Sequence, residues 1–163
     1  MWLPMDVALL DDFVVFFALV FYAFLFVVYF LRARELSGLE LKLRIAFSVQ
    51  LVPFASLWVF NLSLGNDSGR LLTELPIIVY LVYDLWYRLL SKKKPYHYPG
   101  RWPPALIVYL LLLFMGSIGL NWYGYLMSEL YGFVLVIAFF VMMSSYGYCQ
   151  YMRGKKKAEE SQR

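Results

Sequence analysis

Five apolar runs, parted by loops that gather nearly all the positive charge on one side, constrain this chain more than any other feature. They cover residues 13–31, 45–65, 71–90, 103–120 and 130–152. A helix that crosses a bilayer needs roughly 20 predominantly apolar residues, with a range of about 17–25. Each run fits that range. A soluble domain of 163 residues could not hide five of them in one core. Membrane barrels need short alternating segments instead, and the sequence has none. The expected fold class is all-α: an integral membrane bundle of five transmembrane helices. It forms one domain over residues 1–152, followed by a basic, disordered cytoplasmic tail over 153–163.

The charges orient that bundle. If every run crosses, fourteen of the fifteen Lys and Arg residues fall on one face and only Arg70 on the other. The first face holds Arg32, Arg34, Lys42 and Arg44, then Arg88, Lys92, Lys93, Lys94 and Arg101, then the tail. The other holds Asp6, Asp11, Asp12, Asp67, Glu74 and Glu129. By the positive-inside rule the N-terminus is outside and the C-terminus cytoplasmic. The same asymmetry accounts for the net charge of +4 without nucleic acid as a partner. The first residues lack the basic n-region of a cleavable leader, so span 1 is expected to remain in the mature protein. A single Cys149 excludes an internal disulfide.

Local signals divide the chain further. Residues 1–12 carry Trp2 and Pro4 and read as a short interfacial segment. Residues 32–44 mix Leu36, Leu39, Leu41 and Leu43 with charges and read as a short amphipathic piece. The stretch 65–69 is a tight outer turn, since Gly and Asn tolerate positive φ. Residues 95–104 form a Pro-rich inner connector that contains His97, read as an exposed or interfacial residue. Trp122, Tyr123 and Tyr125 read as an outer aromatic belt. Pro53 lies inside span 2 and predicts a kink there. Gly116, Ser117 and Gly119 make a small-residue patch for close packing in span 4.

Ionisable residues inside a span are costly and are functional candidates by default. All of them fall in span 3: Glu74, Asp84 and Arg88. At 100° per residue, Tyr80, Asp84, Tyr87 and Arg88 share one broad face with Glu74 at its edge. With Tyr83 beside them they outline a polar pocket. The bland alternative is that Asp84 and Arg88, four apart, neutralise each other near the cytoplasmic interface. Span 2 offers amides at matching depths. Gln50 lies about 7 Å and Asp84 about 9 Å from the inner ends of their spans, while Asn61 and Glu74 each lie about 5–6 Å from the outer ends. Two polar layers follow between spans 2 and 3: Gln50 with Asp84 and Arg88 inside, Asn61 with Glu74 outside.

No nucleotide-binding, hydrolase or zinc-protease motif is present. One histidine and one cysteine leave no spacing for zinc or haem, so neither metal nor cofactor is expected. Acids on the outer face are candidates for a hard cation only as a weak signal. Asn61 and Asn66 each begin a glycosylation triplet, of which only Asn66 lies outside the expected lipid.

Glu74 followed by Pro76 on one helix, with Trp102, Pro104, Ala105, Ile107 and Tyr109 opening the next, resembles the emopamil-binding and sigma-2-receptor family. That resemblance implies a sterol-handling membrane protein with a site at the carboxylate. The chain departs from the family in lacking a histidine at that carboxylate and in its much shorter first outer turn.

The expected function is a non-enzymatic subunit or accessory protein of a membrane complex, in a plasma membrane or endomembrane. Its partners would be the lipid bilayer and other membrane subunits. Two alternatives are a binder or isomerase for a lipophilic, sterol-like ligand between spans 2 and 3, and a proton or cation transporter along span 3.

Overall fold

A computed structural model describes residues 7–34, 36–91 and 104–161. The connector around His97 and the segment bearing Trp2 and Pro4 fall outside the described residues. Within them lie six α-helices and no strand: α1 (Val7–Ala33), α2 (Ser37–Ser48), α3 (Leu51–Ser63), α4 (Ser68–Ser91), α5 (Pro104–Met127) and α6 (Glu129–Ser161). Four segments are long and apolar enough to cross a membrane: Leu9–Ala33, Gly38–Ser63, Ile107–Met127 and Glu129–Lys155. The second joins α2 to α3. The fifth expected span, α4, is not among them. Its sequence differs because Arg70, Glu74, Asp84 and Arg88 interrupt the apolar run.

Span 2 is divided where its proline acts. Pro53 has no N–H, so the carbonyl of Val49 loses its usual partner four residues on. The chain tightens there instead. Val49 N–H donates to Ala46 O at 3.2 Å and Gln50 N–H to Phe47 O at 3.1 Å, both three-residue bonds. The Val49 carbonyl is taken up by Val52 N–H at 3.1 Å. Beyond this turn α3 keeps a regular stripe: Phe54, Leu57 and Asn61 are all buried.

The turn from α3 to α4 closes on Gly65, whose φ of 66° is left-handed. Gly65 N–H donates to Leu62 O, and Asn66 N–H to Asn61 O, both at 3.2 Å. These two bonds cap the last carbonyls of α3 in the Schellman pattern. Gly65→Ala is expected to cost about 1 kcal/mol through the left-handed backbone alone. That is a fall of roughly 2–4 °C in thermal midpoint, with Gly65→Asn losing less. A midpoint unchanged in Gly65→Ala would contradict this turn geometry.

The helices close into a ring in the order α1, α3, α4, α5, α6 and back to α1. Phe21, Phe47, Phe54, Tyr80, Leu81, Leu135 and Met142 are buried in the middle. Ring centroids of Phe21 lie 5.4 Å from Phe47, 6.4 Å from Phe54 and 5.9 Å from Tyr80, in tilted or edge-on contact. α4 and α5 approach each other closely at two glycines. A Cβ placed on Gly119 would lie 2.2 Å from the Thr73 carbonyl oxygen, and one on Gly116 3.1 Å from Ile77 Cα. The small-residue patch read in span 4 therefore faces α4.

α1 and α6 extend beyond the bounds expected from the sequence. α1 begins by Val7, so Asp11 and Asp12 belong to the helix and not to an interfacial lead-in. α6 runs past Met152 to Ser161, so the segment expected to be a disordered tail is helical over those residues. Its Lys, Ala and Glu residues are strong helix formers, and Lys155 lies four before Glu159.

Candidate functional site

Helix starts and ends bring four elements to one end of the bundle. Asp11 comes from the first turns of α1, Asn61 from the last turn of α3, Arg70 and Glu74 from the start of α4, and Tyr123 from the end of α5. All but the partly exposed Arg70 lie on a buried stripe of their own helix. On α1 that stripe runs Asp11, Val14, Ala18, Tyr22, Leu25 and Tyr29, all buried.

The side chains form two linked chains of hydrogen bonds. Asn66 Nδ2 donates to Asn61 Oδ1 at 2.7 Å, and Asn61 Nδ2 donates to Glu74 Oε1 at 2.8 Å. Tyr123 Oη donates to Asp11 Oδ1 at 2.7 Å. Arg70 Nη1 reaches Asp11 Oδ1 at 3.4 Å and Oδ2 at 3.3 Å. The Glu74 carboxyl joins the two chains, with Tyr123, Asp11 and Arg70 as its electrostatic neighbours. Glu74 is 1% exposed and Asn61 and Tyr123 are 0% exposed. Among the described residues, Glu74 Oε2 has no hydrogen-bond partner. The expected outer layer of Asn61 with Glu74 is therefore present as a direct bond. It is larger than expected, because Asp11 and Tyr123 complete it.

Tyr123 was expected in the outer aromatic belt, yet its side chain is buried. α5 continues helically to Met127, which rotates Tyr123 inward and leaves Trp122 and Tyr125 exposed. A second bond set lies deeper: Tyr22 Oη contacts both Ser117 O at 3.1 Å and Asn121 Oδ1 at 3.0 Å. Sequence reasoning put Asp11 among the outer acids and Tyr123 in the aromatic belt, and joined neither of them, nor Tyr22 and Asn121, to a buried polar cluster. The available signal was the eleven-residue spacing of Asp11 and Tyr22, which puts both on one helical face. Both Asn side chains of the glycosylation triplets give their amide nitrogen to internal bonds, so glycosylation of the folded chain would break that network.

The inner layer differs from expectation. Gln50 is buried, but both its amide atoms lack a hydrogen-bond partner among the described residues, so it does not pair with Asp84. Gln50 sits in the tightened turn between α2 and α3, where the helical phase departs from the regular 3.6 residues per turn used to align it. Asp84 is buried and engaged by groups other than Gln50. The side chains of Tyr87 and Arg88 lie outside the described residues, and with them the expected Asp84–Arg88 pair. Tyr83 is half-buried. Tyr80 is fully buried, its hydroxyl 2.6 Å from that of Tyr109 on α5. The Tyr80 ring stands among Phe21, Phe47 and Tyr109 and helps to fill the core.

Among the described residues no three His, Cys, Asp or Glu side chains converge on one point. A surface depression of about 400 Å³ lies beside the polar cluster, lined by Gly65, Asn66, Asp67, Arg70 and Leu126. Asn66 and Arg70 belong to both. No family model, curated protein or solved structure matches this chain.

Proposed function

We propose that the chain is a five-span membrane protein that serves as a non-enzymatic subunit or accessory protein of a membrane complex. Its N-terminus is outside and its C-terminus cytoplasmic. The observation that carries this reading is a bundle centre filled by large aromatic and aliphatic side chains. A ligand-binding membrane enzyme needs an enclosed apolar cavity with convergent polar groups. Where the sterol-like alternative requires a pocket between α3 and α4, two bonds tie those helices together. They are Asn61 to Glu74 at 2.8 Å and Trp58 Nε1 to Leu71 O at 3.1 Å.

The crossing of α4 is supported by its inverted pattern. Glu74, Asp84 and Tyr80 are buried, while Leu72, Leu75, Val79, Val82 and Trp86 are exposed. Water would favour the opposite arrangement; lipid favours this one. Charge supports the orientation. The acids Asp11 and Asp12 of α1 meet Arg70 of α4 and Tyr131 of α6 at one end. Arg32 pairs with Glu40 at 2.6 Å at the other end.

α6 supplies the surface for a partner. Only 22% of its apolar segment is buried, against 50% for α1. Leu130, Phe133, Ile137, Phe140 and Val141 face outward along it. Gentle extraction followed by native mass spectrometry is expected to show defined subunits bound to the chain. Labelling of single introduced cysteines in intact cells is expected to mark residue 67 from outside and residue 155 only after permeabilisation. A monodisperse, partner-free particle with its lipids intact would count against the subunit role, and reversed labelling against the orientation.

A further inference from the structure

We propose that Arg34 and Lys155 hold the headgroup of an anionic phospholipid, at the end of the bundle opposite Glu74 and beside the stacked rings of Phe30 and Tyr148. The inference rests on α1 and α6 crossing a bilayer; it needs neither the subunit role nor the orientation.

The register of two helices carries the first argument. Asp12 bonds Tyr131, Tyr29 packs on Tyr146 and Phe30 stacks on Tyr148, so α1 and α6 run parallel. The rings of Phe30 and Tyr148 lie 6.3 Å apart at an interplanar angle of 18°, and both side chains are exposed. On each helix the ring is followed on the same face by a cation. Arg34 comes one turn after Phe30, with its guanidinium carbon 5.5 Å from the ring centroid. Lys155 comes two turns after Tyr148. The parallel register sets Arg34 level with residues 151–153, so Lys155 stands about one turn further along.

Charge carries the second. Arg32 is already paired with Glu40 at 2.6 Å. Among the described residues, neither Arg34 nor Lys155 has a carboxylate at ion-pair distance, and both are exposed. A guanidinium presents a fork that matches phosphate oxygens, and a lysine adds a mobile point charge.

Depth carries the third. The apolar segment of α1 ends at Ala33 and that of α6 at Lys155, so both cations lie where hydrocarbon gives way to headgroups. Aromatic side chains favour the same level. Phe26 and Val27, one turn before Phe30, are exposed and offer an apolar bed for an acyl chain. The positive-inside rule accounts for cations at this end. It does not account for a guanidinium held over a stacked ring pair between two parallel spans.

The test places the full chain in nanodiscs of equal parts phosphatidylglycerol and phosphatidylcholine with identical acyl chains. Native mass spectrometry then counts the lipids each particle retains. A cation near an anionic surface is worth about fivefold, so phosphatidylglycerol is expected to exceed phosphatidylcholine roughly twentyfold. Arg34→Gln and Lys155→Gln should each cut that preference about fivefold, and the double variant should abolish it. Both side chains are exposed, so these variants keep the fold. Phe30→Leu keeps both charges and should cost about threefold through the lost ring contact. Lys42→Gln removes an exposed cation of α2, which packs on α1 and α4, and should change nothing. Equal retention of the two lipids by an incorporated chain would overturn the site alone. A chain that fails to enter nanodiscs would overturn the spanning reading and the site with it. A loss in Lys42→Gln equal to that in Arg34→Gln would reduce the site to diffuse surface potential and overturn it. Displacement of the lipid by soluble glycerol phosphate, or by an acidic subunit covering Arg34, would assign the patch to another partner and overturn it too.

Discussion

Gly119→Ala is expected to lower the thermal midpoint by roughly 6–12 °C, the equivalent of about 3 kcal/mol at the upper end of what overpacking costs. The cause is a single contact. The added methyl would stand 2.2 Å from the carbonyl oxygen of Thr73, far inside van der Waals distance. Because the obstacle is backbone, no rotamer change relieves it, and α4 must move away from α5. Gly116→Ala meets Ile77 at 3.0 Å for the flexible Cδ1 and 3.1 Å for Cα, so a smaller loss is expected. Gly147 is the internal control. It is exposed on α6 with no atom within 4 Å of a new Cβ. There, Gly→Ala should leave stability unchanged or raise it by about 0.5–1 kcal/mol through helix propensity. Thermal unfolding of the three variants in one detergent checks the ranking. A wild-type midpoint in Gly119→Ala would mean that the two helices do not approach this closely.

Asn61→Leu is the second large effect. One amide serves two bonds, accepting from Asn66 and donating to Glu74. Its loss strips the buried carboxyl group of its donor, and a buried polar group left without a partner costs about 1–3 kcal/mol. A loss of about 3 kcal/mol is expected. The double variant with Glu74→Leu should lose clearly less than the sum of the two single variants, because the second change removes the stranded acid. Side-chain bonds between membrane helices average about 0.6 kcal/mol and reach about 1.7. A coupling energy near 2 kcal/mol in a double-mutant cycle would place this pair above ordinary helix association. Simple additivity would reduce it to incidental contact.

Much of α4 was legible before any coordinates. Glu74, Tyr80 and Asp84 were placed on one face by spacing, and all three are buried. Asn61 and Gln50 were placed on a common face of span 2, and both are buried. Their partners were harder to read. Depth counted along a helix matched Asn61 to Glu74 correctly, because both lie near a short turn that fixes their register. The same count matched Gln50 to Asp84, and that bond is not formed. The tightened turn ahead of Pro53 lies within that count, and a regular rise and rotation per residue no longer holds across it. Asp11 and Tyr123 were assigned to segments outside the bundle because the helix ends were set too early. α1 starts before residue 13 and α5 continues beyond residue 120, and each added stretch carries one member of the polar cluster.

By itself the sequence determined an all-helical chain with long apolar segments, and it determined which residues share a face within each helix. Both follow from local geometry: run length and 3.6-residue periodicity need no knowledge of neighbours. Only the tertiary structure decided that Asp11, Asn61, Glu74 and Tyr123, from four different helices, meet at one end. Rotation and register between helices depend on contacts such as Gly119 against Thr73 and Gly116 against Ile77. Those contacts join residues more than thirty apart in the chain, a distance over which no local pattern carries phase.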